Sequence, residues 1–342
     1  MKPVVGVAHA RVGLLGNPSD GYGGKAIAFC VADFEARVYL EPAEDLRLLG
    51  DHGARRLASS LVEAGGGIDP VDPGDGSHLL EAALYRFLRA HPESRRVAPE
   101  ESAPRFSMRL ETNIPRQVGL GGSSAIVIAA LRALGDLFGI TQDPVELATS
   151  ALAAEKDDLG IAAGPMDRIV QAREGAVVMD LTRPGDLSSH FEIEPNLLPP
   201  LFIAWQPARG EPSGVAHGDL QARWRAGDRE VLETIGDLRA LVDEGLGYLE
   251  RGEHALFCRA MGRNLELRQR IFSISEGDRQ MVEIAARHGA TAKLCGSGGA
   301  VVGATASDHG FENLEKAFVS SGYRFLRPRV KTAAPVAKAG AR

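Results

Sequence analysis

One stretch limits what this 342-residue chain can fold into more than any other: Ile114-Pro-Arg-Gln-Val-Gly-Leu-Gly-Gly-Ser-Ser-Ala125. An apolar, alternating segment, Phe106 to Ile114, runs into it, and a long apolar run, Ile126 to Phe138, leads out. The alternation predicts a strand and the run predicts a helix. A glycine-rich turn at a helix start points several backbone N–H groups at one place, where the helix dipole adds positive charge. Gly119, Leu120, Gly121, Gly122, Ser123 and Ser124 are therefore expected to form an anion site, most often for phosphate. The serines can cap the helix, and one hydroxyl can hold a metal that rides on the phosphates. The alternative is a turn that serves close packing alone.

The bulk of the chain excludes several classes. Its length suggests two domains. At 44% hydrophobic and 25% charged it has an ordinary globular composition, and its net charge of -6 gives no basic field for nucleic acid. No apolar run approaches the roughly 20 residues of a membrane helix. The opening residues, MKPVVGVAHARVGLLG, lack a long apolar core and cleavage site, so no signal peptide is expected. Cys30, Cys258 and Cys295 are odd in number and far apart, which fits a reducing cytoplasm rather than disulfides or a cysteine zinc site. Oligomeric state is not legible.

Strands are expected at Val4 to Leu15, Ala26 to Leu40, Gly175 to Leu181 and Leu201 to Trp205, with a strand–turn–strand at Thr291 to Thr305. Helices are expected at His78 to Ala90, at Pro144 to Lys156 behind an Asp143 cap, and over Gly218 to Arg251 as one or two. Shorter ones follow at Arg279 to His288 and Phe311 to Ser321. Gly65 to Gly76 and Arg95 to Pro104 read as flexible interruptions. A domain boundary falls near 185 to 200, giving units of 1–190 and 191–330, with a disordered tail at 331–342.

Four groups of residues can do chemistry. Nothing in the chain satisfies the P-loop pattern, since Gly24-Lys25 is followed by alanine. The glycine turn is a near-miss for a dinucleotide fingerprint, with Ser124 where the third glycine belongs. Glu155 ends one helix pattern and Asp167 opens the next element twelve residues later, which suits a metal ligand plus a general base, or a solvated helix end and a cap. Arg11 lies in an apolar strand, where a buried cation needs an anionic partner. Asn17 and Asp20 follow it in a turn, and alone they read as turn formers. The fourth group is a second glycine turn, Cys295-Gly296-Ser297-Gly298-Gly299, equally readable as a hairpin. The nine histidines show no metal spacing.

In this order the four groups resemble the motifs of the GHMP family of small-molecule kinases. Motif one looks like Arg11-Val-Gly-Leu-Leu-Gly-Asn-Pro-Ser-Asp20, and motif two is similar to Pro115 through Ala125 with one extra glycine. The acidic segment resembles Glu155 to Asp167, and motif three looks like Lys293 to Ala300. Asn17-Pro18 stands where galactokinases and mevalonate kinases carry Glu-His. The wording of motif one, the extra glycine and Gly-Ser-Gly-Gly-Ala-Val resemble the glucuronokinase group, although Leu294-Cys295 stands where that group often has Leu-Pro.

The resemblance implies an α+β fold of two domains, ribosomal S5 domain 2-like and then ferredoxin-like. It also implies an ATP-dependent, Mg²⁺-requiring sugar-1-kinase. Residues 119–124 would cradle the phosphates, Ser124 and Glu155 would hold Mg²⁺, and the Gly296 loop would close from the second domain. Asp167 would be the general base, with Arg11 keeping it ionised, and Asn17 and Asp20 would bind sugar hydroxyls. For a uronic acid, Lys25 and Arg116 are candidate carboxylate partners by position. Galacturonate, arabinose, galactose or a heptose phosphate are alternative sugars. A dinucleotide-dependent oxidoreductase is the reading from another class.

Overall fold

A computed structural model describes residues 2–50, 53–58, 76–95, 105–207, 214–306 and 310–332. Its first sheet is built around β2 (Lys25–Pro42), the longest strand. Along one edge β2 pairs antiparallel with β1 (Val4–Leu15), from Val4 opposite Leu40 to Leu15 opposite Ile27. The other edge is shared by β5 (Phe106–Thr112) and β6 (Ala176–Asp180), both antiparallel. β3 (Leu46–Gly50), β4 (Gly53–Ala58) and β7 (His190–Ile193) bring the described strands to seven, with β3–β5 the one parallel pairing among them. The first half of β2, Ala26 to Val31, is buried at every residue, whereas its second half alternates. A continuous buried run marks a strand covered on both faces, and alternation marks one face in contact with solvent.

The covering elements follow from the sequence. α1 (Ser77–Ala90) and α2 (Gly122–Phe138) pack together, and α2 lies against β1 and β2. α2 is apolar over most of its circumference because it is enclosed by other elements. α3 (Pro144–Ala153) has a full capping box, with Asp143 accepting from Val145 N and Glu146 N and the Glu146 side chain returning to Asp143 N. It runs into one wide π-turn, Ala154–Asp158, that carries Glu155, and then α4 (Met166–Arg173) carries Asp167.

The second sheet is antiparallel throughout, in the order β11 (Arg324–Leu326), β8 (Leu201–Trp205), β10 (Ala300–Ala304), β9 (Thr291–Leu294). Among the described residues four helices separate β8 from β9: α5 (Gly214–Arg225), α6 (Arg229–Glu250), α7 (His254–Ile271) and α8 (Glu276–Arg287). α9 (Phe311–Ser320) joins β10 to β11, so the connectivity is ferredoxin-like with added helices. Phe202 is the centre of its core, stacked on Phe325 at 5.3 Å and tilted against Phe318 at 5.6 Å.

Most expected elements are present, and the differences have causes. α2 begins at Gly122, four residues before its apolar run, so both serines fall in its first turn. β7 still pairs in the first sheet, and the second begins at Leu201, so a cut at 190 passes through a strand. Arg329 to Lys331 return to the first sheet, where Ala32 N donates to Arg329 O at 2.8 Å and Lys331 N to Cys30 O at 2.8 Å. α7 was not expected, because Asn264 and Arg268 interrupt its buried stripe. The 65–76 interruption, save Gly76, and residues 96–104 of the second lie outside the described residues, as does the tail beyond Thr332.

The contact that seats the glycine turn is the approach of β1 to α2. A Cβ at Gly6 would overlap the Ala129 carbonyl and lie 2.6 Å from Ala133 N, both backbone atoms that cannot swing aside. Gly6→Ala is expected to lower unfolding free energy by about 1–3 kcal/mol or more, read from a chemical denaturation midpoint. An unchanged midpoint would contradict this packing.

Candidate active site

The glycine turn leaves β5 and reaches α2 through Gly119 and Gly121, whose φ values of 71° and 72° lie in the left-handed region. Gly121 is the N-cap, so no side chain caps the helix. The first N–H groups of an α-helix have no partner within it, and here they start a 17-residue helix. Ser124 is buried and donates its hydroxyl to Gly121 O at 3.2 Å, keeping its lone pairs for another donor or a cation. Gln171 of α4 ties the turn down from below, its Nε2 donating to Gly121 O and His9 O at 2.8 Å each.

Arg11 of β1 lies directly beside this turn. Its Nε and Nη2 donate to Asp167 Oδ1 and Oδ2, both at 2.6 Å, and its Nη1 donates to Gly119 O at 2.6 Å. The anionic partner that a buried strand arginine requires is therefore Asp167, met by the two-pronged geometry that a guanidinium favours. The second glycine turn closes over the same group. A Cβ at Gly296 would stand 2.9 Å from both terminal nitrogens of Arg11, and one at Gly119 would stand 2.9 Å from Gly298 O and Ser297 N. Glycine at both places lets the two turns interlock. Asp278 of α8 fixes the second turn, accepting from Gly299 N at 2.8 Å and from Ser275 Oγ at 2.8 Å.

Next to Asp167, Arg168 turns inward to Glu155. Its Nε donates to Glu155 Oε2 at 2.7 Å and its Nη2 to the same oxygen, while Nη1 reaches Gly164 O at 2.8 Å. Arg168 Nη1 is also 3.6 Å from Asp167 Oδ2, so Arg11, Asp167, Arg168 and Glu155 form a row of alternating charge. Glu155 Oε1 is buried and has no partner among the described residues. A free carboxylate oxygen and the lone pairs of the Ser124 hydroxyl are the hard donors that suit Mg²⁺. No group of three or more His, Cys, Asp or Glu side chains with metal-binding geometry occurs among the described residues.

Asp20 is buried in the turn after β1, its Oδ2 accepting from Met166 N at 3.4 Å. Burial, and then the nearby Asp167 charge, push its carboxyl up to about 6. Asn17 is buried too, and its Oδ1 accepts from Lys293 Nζ at 2.7 Å. Lys293 is buried in β9 with two further acceptors, Gly13 O and Leu294 O, each at 2.9 Å. Burial, then Arg268, lowers it to about 7. Arg268 of α7 is also buried, donates to Ser297 O at 3.3 Å and is drawn down to about 10 by burial. The reasoning that singled out Arg11, a cation inside an apolar strand, applies equally to Lys293 in Thr-Ala-Lys-Leu and would have found it. Arg268, Asp278 and Gln171 carry no comparable local signal.

Of the two cations considered for a sugar carboxylate, Lys25 is already matched. Its Nζ is 2.8 Å from Asp243 Oδ1 and 3.5 Å from Asp180. Arg116 is exposed on the approach to the turn.

The GHMP kinases N terminal domain model matches residues 78–175. Glucuronokinase 1 of Arabidopsis thaliana is 34% identical over 305 residues, covering 86% of this chain and 83% of that protein. The chain belongs to the GHMP kinase family. Lactococcus lactis galactokinase complexed with galactose has the same fold, with a TM-score of 0.78 at 14% identity over 97% of this chain and 95% of that one. Streptococcus pneumoniae phosphomevalonate kinase in complex with phosphomevalonate and AMPPNP gives 0.77 at 15% identity, over 97% and 100%. The expected α+β kinase fold is the fold found. The dinucleotide-dependent oxidoreductase is overturned, since a doubly wound cofactor fold needs a largely parallel sheet and this kinase has one parallel pairing among its described strands.

Two stability outcomes follow from these charges. Because the folded Asp20 value of about 6 exceeds the ordinary 3.8, the native state holds that proton more tightly than the unfolded chain. Stability therefore falls as pH rises from near 4 to near 6, and the full penalty applies above that. Asp20→Asn is expected to flatten this window and to stabilise the protein at pH 8 by on the order of 1–3 kcal/mol, measured by denaturation across pH. Arg168→Met should cost about 3–5 kcal/mol by stranding the Glu155 charge, and the double variant with Glu155→Gln should recover part of it. Equal losses in single and double variants would contradict the pairing.

Proposed function

We propose that this kinase is a glucuronokinase, transferring the γ-phosphoryl group of ATP to the anomeric hydroxyl of D-glucuronate and releasing glucuronate 1-phosphate and ADP. One observation carries the reading: Arg11 grips both oxygens of Asp167 beneath two interlocked glycine turns. The 34% identity to a glucuronokinase over most of both chains supports the choice of sugar.

Phosphoryl transfer asks a protein for positioning and charge more than for covalent chemistry. The N–H groups of residues 119–124 would hold the phosphates at the start of α2. Asp167 would take the anomeric proton as the sugar oxygen bonds to the γ-phosphorus and the bond to ADP breaks. Arg11, donating to both Asp167 oxygens, would hold the carboxylate in place as it does so. The guanidinium would also stabilise charge on the attacking oxygen. Ser124 and Glu155 would hold Mg²⁺, which supplies charge neutralisation at the phosphates when bound. Asn17 and Asp20 would bind the sugar, and the Gly296 loop would exclude water from above. The partners implied are the sugar and the nucleotide.

The described residues contain no helix long and apolar enough to cross a membrane, and Cys30, Cys258 and Cys295 are buried and unpaired. Free thiols are compatible with a cytoplasmic location.

A panel of glucuronate, galacturonate, arabinose, galactose and a heptose phosphate, read by ADP release with Mg-ATP, tests the substrate. Glucuronate is expected to give the highest kcat/KM, with the product phosphorylated at the anomeric position. Asp167→Asn should lower kcat by about 10²–10⁴-fold. Undiminished turnover in that variant would remove Asp167 as the base, and a preference for another sugar would replace glucuronate.

A further inference from the structure

Lys293 takes no part in the chemistry above. It is fully buried, and its three donors go to neutral oxygens on Gly13, Asn17 and Leu294. Among the described residues it forms no ion pair, and neither does Arg268, whose buried Nε has no hydrogen-bond partner. The other cations of the site are matched, Arg11 by Asp167 and Arg168 by Glu155. Asp20 and Asp278 both lie near Arg268, yet among the described residues neither forms an ion pair with it or with Lys293. Lys293 is therefore buried with no carboxylate in ion-pair contact among the described residues.

The hydrogen bond to Lys293 also fixes the orientation of Asn17. An ammonium group donates only, so the amide has to present Oδ1 to it and turn Nδ2 the other way. That Nδ2 is buried and has no partner among the described residues. It belongs to the motif-one turn that also carries Asp20.

We propose that Asn17 and Lys293 form the receptor for the carboxylate of the sugar. Asn17 Nδ2 donates to a carboxylate oxygen, and Lys293 acts as a positioning residue that locks the amide and supplies the balancing charge. The proposal rests on the glucuronate reading above. A carboxylate supplies both missing things, an acceptor for the amide N–H and a negative charge for the lysine, whereas a neutral sugar supplies only the first. A nucleotide phosphate shares this chemistry. The Lys293 contacts outside its own strand all lie on motif one, at Gly13 and Asn17, which favours the sugar.

The test is steady-state kinetics of the full chain with Mg-ATP on glucuronate and on glucuronamide, which keeps the shape and removes the charge. The unaltered protein is expected to prefer glucuronate strongly. Asn17→Asp, whose carboxylate can pair with Lys293, should lower kcat/KM for glucuronate by about 100-fold and bring the two substrates close to parity. Lys293→Met should act in the same direction chiefly through the glucuronate KM, with the ATP KM unchanged within about threefold in both variants. Thermal unfolding checks that each variant folds. If Asn17→Asp does not fold, Asn17→Ala, which removes the donor without adding charge, should show the same loss of preference. An unchanged preference in folded variants overturns the proposal, and so does a rise in the ATP KM alone, which would assign the charge to phosphate. Glucuronate turned over with an unchanged preference sinks only the receptor. Failure to phosphorylate glucuronate at all, with a neutral sugar accepted, sinks the substrate reading and the receptor together.

Discussion

The site depends on the paired hydrogen bonds between Arg11 and Asp167, because they join three elements that are far apart in the chain. Arg11 belongs to the first strand, Asp167 opens α4, and the third arm of the guanidinium holds the carbonyl of Gly119 in the turn between β5 and α2. Burying either charge alone would be costly, so each fixes the other. Paired, they place a carboxylate beside a helix start whose N–H groups are uncapped. In the proposed reading those are the base and the anion cradle of a phosphoryl transfer.

Around this pair the chain places small residues where backbones must meet and charged residues where the meeting must be held. Gly119 and Gly296 let the two turns approach without side chains between them, and Asp278 and Gln171 pin the turns from either side. The row of alternating charge from Arg11 to Glu155 is internally balanced, while buried Lys293 makes no ion pair among the described residues and spends its donors on neutral oxygens. On the proposed reading an anionic sugar supplies the missing charge. Polar groups that stay unpaired until the right ligand arrives discriminate more sharply than added apolar contact does.

How much of this was legible depended on whether the signal was local. Motifs at Arg11 to Asp20, Pro115 to Ala125 and Glu155 to Asp167 lie in continuous sequence, and their turn chemistry and spacing point to phosphate and carboxylate roles. The strands β1 and β2 and the capped helix α3 were equally plain, since their burial patterns and caps are written in neighbouring residues. Arg268 and Asp278 were not, because each matters through a backbone atom of a distant loop. Asn264 and Arg268 also disguise α7 by placing polar groups on its buried face. Lys25 was misleading in the opposite way: it follows motif one in sequence, yet it turns to Asp180 and Asp243.

The central claim is that Arg11 and Asp167 act as one unit in the transfer step. A double-mutant cycle on kcat, with Arg11→Met, Asp167→Asn and the pair combined, tests this most directly. Two residues working as a unit should be strongly non-additive, so the double variant is expected to be about as slow as the slower single one. Losses that simply multiply, in variants that fold and still bind ATP, would contradict it.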